Sequence, residues 1–254
     1  MNNVFDAYAG YYDLLYQDKD YEAEVEYVCD LLEKQGIKGG SILELGCGTG
    51  KHAEYFAKKG YTIRGIDLSP RMVELANKNI AENLEQQLCF ELGDVRTYRN
   101  GKKYDAVISL FHVASYQTTN KDLDDFLNVA SLHLKEGGVL IFDFWHGPGV
   151  ITEKPTVRVK RMNMDGFSVV RIAEPIMECE QNQVKVHYTI MTEEKSCDRH
   201  QQFVEEHSVR YFFIPEIEKF LSNANMDLRV CHPWMQYKSL NYNDWLGVVC
   251  ALKR

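Results

Sequence analysis

A chain of 254 residues, 45% of them apolar, can bury a sizeable core as one large domain or as one domain carrying an insertion. Its formal charge of −8 and pI near 5.5 set up no general attraction to phosphate backbones or anionic lipid, which argues against nucleic-acid and membrane partners. No apolar run approaches the roughly 18 residues of a membrane span, the opening "MNNVFDAYAGYYDLLYQDKDYE" lacks a leader pattern, and the seven scattered cysteines form no C-x-x-C pair, so a cytoplasmic protein with reduced thiols and no metal is expected.

Tyr8, Tyr12 and Tyr16 recur every four residues and would share one face of a helix, as packing or as a lid. Val25, Val28, Cys29 and Leu32 follow helical spacing, with Gly36 to stop the helix. "SILELG" (41–46) reads as a buried strand, Ala53, Phe56 and Ala57 mark a helix, and "YTIRGID" is the next strand. Ser69 caps and Pro70 opens a helix carrying Met72, Leu75 and Ala76. "QLCFELGD" and "YDAVISLF" are further strands, a helix begins near Asn120, and "GGVLIFDF" makes the fifth strand. This alternation predicts a parallel sheet with right-handed crossovers.

After Trp145 the period changes. "TVRVKRM", "FSVVRIAE", "QVKVHYTIM" and "QQFVEEHSVRYFF" alternate apolar and polar residues, which predicts an antiparallel sheet inserted between Pro155 and Phe213. Pro215 then opens a helix through Ile217, Phe220, Leu221 and Ala224, before "MDLRVCHPW" and the final strand "WLGVVCALKR".

The stretch "ILELGCGTGKH" bares the backbone at Gly46, Gly48 and Gly50 directly after the first strand, where the next helix offers free N–H groups to a nucleotide-like ligand. A dinucleotide fingerprint would need its third glycine at position 51, which is Lys51, so a nicotinamide oxidoreductase is disfavoured; no lysine or serine stands in P-loop order. Asp67 closes the second strand, where a carboxylate can accept both hydroxyls of a ribose. Glu44, inside a strand buried on both faces, needs a polar partner or a ligand.

With "LELGCGTG", "GIDLS", "LGDVRTY" and "YDAVISLFHV" in this order, the sequence resembles class I S-adenosylmethionine (SAM)-dependent methyltransferases. The resemblance implies a Rossmann-like α/β fold: a mostly parallel seven-stranded sheet whose last strand is antiparallel, formed by residues 1–154 and 214–254 with an N-terminal helical lid, and an inserted antiparallel β subdomain at 155–213. It implies SAM as cofactor and S-adenosylhomocysteine as product. Glu44, Gly46, Cys47 and Gly48 would face the methionine moiety, Asp67 the ribose, Leu68 and Met72 the two sides of the adenine, Asp94 and Val95 its rim, and Leu110 the sulfonium, with Tyr12 in the lid. A narrower resemblance, carried by "KVHYTIM", "HSVRYFFIPEIEKFLSNANM" and "YYDLLYQDKDY", is to sugar N,N-dimethyltransferases, which act on the amino group of nucleotide-linked deoxyaminosugars. The position of that group's proposed catalytic histidine carries Tyr116, and its lid tyrosine falls near Val4 or Phe5.

Methyl transfer is an in-line displacement that depends on positioning the nucleophile, with a base to take its proton. The groups at the ends of strands four and five suit these tasks: His112, Tyr116, Asp143, Trp145 and His146, of which His112, Tyr116 and His146 are the catalytic candidates. The expected function is methylation of a small metabolite, with the amine of a sugar nucleotide first; another small amine, hydroxyl or carboxylate is the competing acceptor, and a non-catalytic SAM-binding module the reading from another class. The inserted sheet is expected to cover the substrate opening or to pair two subunits as a homodimer.

Overall fold

The computed structural model describes residues 16–164, 167–194 and 199–254. Helix α1 (Tyr21–Lys34) starts where the Asp20 carboxylate accepts the Ala23 N–H at 2.9 Å, and it buries Val25, Val28, Leu31 and Leu32. Strand β1 (Gly40–Leu45), helix α2 (Lys51–Lys58), strand β2 (Tyr61–Asp67), helix α3 (Pro70–Lys78) and strands β3 (Leu88–Leu92) and β4 (Tyr104–Ser109) follow. The Ser69 hydroxyl caps α3 by accepting the Met72 N–H, with Pro70 in the first turn. Helix α4 (Asn120–His133) leads into β5 (Leu134–His146), which is longer at both ends than the predicted strand.

These five strands are parallel in the order β3-β2-β1-β4-β5. On the far edge of β5 lies the antiparallel β11 (Leu246–Lys253), and β10 (Met226–Pro233) pairs antiparallel with β11, completing the seven-stranded sheet with its reversed last strand. Alternation sorts its side chains onto two cores. Ile42, Ile108, Ile141 and Val248 pack under α1 and α2, whereas Leu43, Val107, Phe142 and Val249 pack under α4 and α6 (Ile214–Asn223).

Between β5 and α6 come a short helix α5 (Gly147–Thr152) and the meander β6 (Arg158–Met164), β7 (Phe167–Glu178), β8 (Gln183–Glu194) and β9 (Arg199–Phe212), antiparallel throughout. Helix α5 has no counterpart among the predicted elements. Gly149 is needed because a Cβ there would meet the Asp244 carbonyl oxygen at 2.2 Å. The meander joins the main sheet at one point. Strand β4 pairs with β5 only as far as Phe142, and the vacated edge is taken by β9, which runs parallel to β5 at Trp145–Tyr211 and His146–Phe212. The chain leaving β4 must turn away at this fork, and the candidate site lies there.

Candidate active site

The turn after β1 uses its three glycines differently. All three have positive φ (80°, 54° and 79°). A Cβ on Gly46 would meet Val113 at 2.5 Å and one on Gly50 would meet Phe90 at 2.6 Å, so these two serve close packing. Gly48 alone faces open space. Its N–H donates to Asp67 Oδ2 at 2.9 Å, while Ser69 N–H donates to Oδ1 at the same distance. The carboxylate at the end of β2 is thus fixed by main chain, and burial nevertheless pushes its pKa above the ordinary value.

Glu44 is 1% exposed, and its Oε2 has no hydrogen-bond partner among the described residues. Its Oε1 lies 3.8 Å from Nδ1 of the buried His52, whose Nε2 is 2.8 Å from Glu24 on α1. Lys19 closes the chain of contacts by pairing with Glu24. Desolvation, reinforced by the nearby Asp67 charge, raises the Glu44 carboxyl from 4.5 to about 8, and desolvation lowers the pKa of His52. A buried carboxyl with an orphaned oxygen, in the strand that leads to the open Gly48, fits the cationic methionine end of SAM; Asp67 fits its ribose hydroxyls.

The remaining cofactor candidates are placed less uniformly. Cys47 is buried in the turn, its N–H donating to the Ile66 carbonyl at 2.9 Å, and burial raises its thiol pKa well above the ordinary value. Leu68 is half exposed. Met72 is buried, not in an open adenine slot but against Met162, Val169 and Ile190 of the inserted sheet. Asp94 gives both carboxylate oxygens to Arg96, at 2.9 and 2.7 Å, and Arg96 also reaches Asp122 at 2.9 Å, so its side chain ties the β3 loop to α4. Arg96 lowers the Asp94 pKa accordingly. Val95 packs on the α4-side core and Leu110 is enclosed in the α1-side core, both as apolar packing. Tyr8 and Tyr12, with Val4 and Phe5, lie outside the described residues; Tyr16 stands edge-on to Phe111 at 4.8 Å and accepts a hydrogen bond from Arg171 at 3.2 Å.

At the fork, Phe111 and His112 both adopt left-handed backbone (φ 66° and 64°), a conformation worth on the order of 1–3 kcal/mol of strain per non-glycine residue. Asp143, 1% exposed on β5, holds the turn: its oxygens accept the His112 N–H at 3.0 and 3.1 Å, and Oδ2 lies 2.6 Å from His112 Nδ1. Among the described residues Nδ1 makes no hydrogen bond despite this closeness, so Asp143 fixes His112 by its main chain and packs against its ring. The His112 ring forms one wall of a cleft of about 360 Å³ that is also lined by Trp145, Glu153, Arg158, Trp245 and Leu246. The two indoles are 5.0 Å apart, and Trp245 Nε1–H donates to the Glu153 carbonyl at 2.8 Å.

His146 does not join this group. Alternation along β5 puts Trp145 in the cleft wall and Asp143 behind His112 on the same face, and His146 on the opposite face, where its Nδ1 bonds the Asp244 carbonyl at 2.9 Å and its ring lies edge-on to Phe144. Tyr116 ends a 3₁₀ turn (Val113–Tyr116), and its hydroxyl meets His207 of β9 at 2.9 Å. Sequence reasoning missed His207, Glu205, Arg171 and Arg158. A signal existed for three of them: Glu205 and His207 sit in phase with Phe203, Val209 and Tyr211, and Arg171 in phase with Val169 and Ala173, so all three are polar residues on the inward face of a strand.

A 3-2-1-4-5 sheet extended by a reversed strand, with a glycine turn and two carboxyls, Glu44 and Asp67, at the ends of its first two strands, is the architecture of a class I SAM-dependent methyltransferase. Residues 42–138 match the methyltransferase domain family. A dTDP-3-amino-3,4,6-trideoxy-α-D-glucopyranose N,N-dimethyltransferase of Streptomyces venezuelae is 30% identical over 86% of this chain and 90% of its own. Among solved structures, the S. venezuelae DesVI protein superposes with a TM-score of 0.78 at 26% identity, covering 95% of this chain and 97% of that one. A SAM-dependent methyltransferase from Clostridium acetobutylicum shares the fold with a TM-score of 0.83 at 21% identity, over 99% of both chains. The chain belongs to the SAM-dependent methyltransferases, in the family of the sugar N,N-dimethyltransferases.

Proposed function

We propose that this enzyme transfers methyl groups from SAM to the amino nitrogen of a nucleotide-linked aminosugar. The observation that carries this reading is the cleft at the fork, where an apolar wall of two indoles adjoins the guanidinium of Arg158, contributed by β6. Indole faces suit the flat and apolar surfaces of a sugar or base, and a guanidinium suits a diphosphate. The S. venezuelae relative is named for such a substrate.

SAM supplies a methyl group on a cationic sulfur that leaves as a neutral thioether. The chain supplies position. Gly48 leaves room for the donor, while Asp67 and Glu44 meet its hydroxyls and its cationic end. Across the fork, Asp143 holds the His112 main chain and stands 2.6 Å from its ring, and the imidazole orients the acceptor nitrogen with its lone pair toward the donor site. The inserted sheet closes the acceptor side. We extend the proposal to its boundaries: residues 155–213 form the acceptor-binding subdomain.

Incubation with SAM and dTDP-3-amino-3,4,6-trideoxy-α-D-glucopyranose, read by mass spectrometry for successive mono- and dimethylated product and for S-adenosylhomocysteine, tests the reading. Turnover of simple amines or phenols with no turnover of any aminosugar nucleotide would refute it.

A further inference from the structure

Three groups on two elements, Tyr116 at the end of the 3₁₀ turn and His207 and Glu205 on β9, form an unbroken hydrogen-bonded line. The Tyr116 hydroxyl lies 2.9 Å from His207 Nδ1, and His207 Nε2 lies 3.2 Å from Glu205 Oε2. His207 and Glu205 are 4% and 8% exposed, and 36% of Tyr116 is uncovered by the described residues. Because a carboxylate can only accept, Nε2 carries the ring proton, Nδ1 is the acceptor, and the Tyr116 O–H donates to it. This is the orientation of a nucleophile–histidine–carboxylate triad with a phenol in first place.

We propose that Tyr116, His207 and Glu205 form a proton relay that takes the proton from the acceptor ammonium before methyl transfer. The inference rests on the amine-acceptor reading above. An N–H bond of the ammonium breaks and its proton goes to the Tyr116 oxygen; the original Tyr116 O–H breaks and its proton goes to His207 Nδ1. The products are a neutral amine ready to attack, a neutral phenol, and an imidazolium paired with the Glu205 carboxylate. Tyr116 touches the substrate; His207 and Glu205 act through it.

The surroundings favour this route over a phenolate. Although about a third of the Tyr116 residue surface is uncovered (36%), desolvation by the groups packed around it, with Tyr188, Tyr16 and the Glu205 charge, holds its proton on, and the Arg171 charge opposes them only in part. The Tyr188 ring stands edge-on to His207 at 4.9 Å. The positive charge therefore comes to rest on β9, beside a carboxylate, away from the loop that receives the cationic donor.

The test compares Tyr116→Phe, His207→Gln and Glu205→Gln with the wild type, using dTDP-3-amino-3,4,6-trideoxy-α-D-glucopyranose as probe. At neutral pH kcat/KM should fall roughly 10- to 100-fold for the first two and about 10-fold for the third, with SAM affinity unchanged in calorimetry. The deficits should shrink toward none as pH rises and the amine arrives neutral. A deficit constant across pH would assign the three to packing and overturn the relay. Independently of turnover, nitrogen-15 spectra of histidine-labelled protein should show His207 as the Nε2–H tautomer, with its Nδ1 resonance displaced by Tyr116→Phe. An Nδ1–H tautomer, or no response to that substitution, would refute the relay, whereas failure of the probe to react counts against the aminosugar reading alone.

Discussion

The glycine turn proposed for the donor and the cleft proposed for the acceptor are built by different means. Around Gly46–Gly50 and Asp67 the working groups are main-chain N–H bonds, glycine gaps and one carboxylate at a strand end, all within a single β-turn-α-β unit. Around the cleft the lining side chains come from the turn after β4 (His112), β5 (Trp145), the residue after α5 (Glu153), β6 (Arg158) and the entry into β11 (Trp245, Leu246), segments far apart in the chain. A site made of backbone is specified by local spacing. A site made of side chains from distant strands is specified by which face each strand turns inward.

The sharpest probe of the donor half is Glu44. Folded, it holds its proton up to about pH 8, whereas an unburied carboxyl releases it near 4.5. Between those values the unfolded chain binds fewer protons, so stability falls as pH rises through the window. Glu44→Gln should therefore add on the order of 3 to 5 kcal/mol at pH 8 and nothing below pH 4, as measured by denaturant unfolding. SAM binding near pH 7 should also release a proton from wild type and none from the variant, seen as a dependence of binding heat on buffer. Equal stability at pH 8 would mean that Glu44 ionises freely in the folded protein.

Next in size is Gly48→Val, which places a branched side chain at φ 54° in open space and should weaken SAM by about 100-fold or more, with the chain still folded. Gly46→Ala should instead lower Tm, because its clash is with Val113. If both variants changed only stability, the division of labour among the glycines would be wrong.

On the acceptor side, His112→Ala should lower kcat about 10- to 100-fold by removing one orienting hydrogen bond, leaving the Kd for SAM and the shape of the pH profile unaltered. An altered profile would transfer the proton acceptor to His112. The smallest effect is expected of Arg158→Ala: about a tenfold rise in acceptor KM, steeper at low salt, with kcat and SAM affinity retained.

The same contrast explains what could be read in the sequence. The order of strands and helices, the reversed last strand and the inserted meander follow from periodicity and from the resemblance, and Gly48 and Asp67 stand where their motifs put them. Met72, Asp94 and His146 were harder. Each lies in the right segment, but whether Met72 faces adenine or an incoming sheet and which side of β5 His146 takes depend on contacts with residues dozens of positions away, while the Arg96 that takes both Asp94 oxygens is only two positions on yet gives no sign in the sequence of turning back. Arg158 carries no local mark at all, being one cation in a strand of several.

Among the described residues, main-chain pairing joins the inserted sheet to the core at only two positions, Trp145–Tyr211 and His146–Phe212. A seam this short makes the meander exchangeable. A cassette running from α5 to the start of α6 could be transplanted between related chains to change the acceptor while the donor machinery is inherited unchanged. It would have to keep Tyr211 and Phe212, which are buried where they join the core sheet, and an apolar patch in place of Met162, Val169 and Ile190, because a graft without that patch would leave Met72 uncovered.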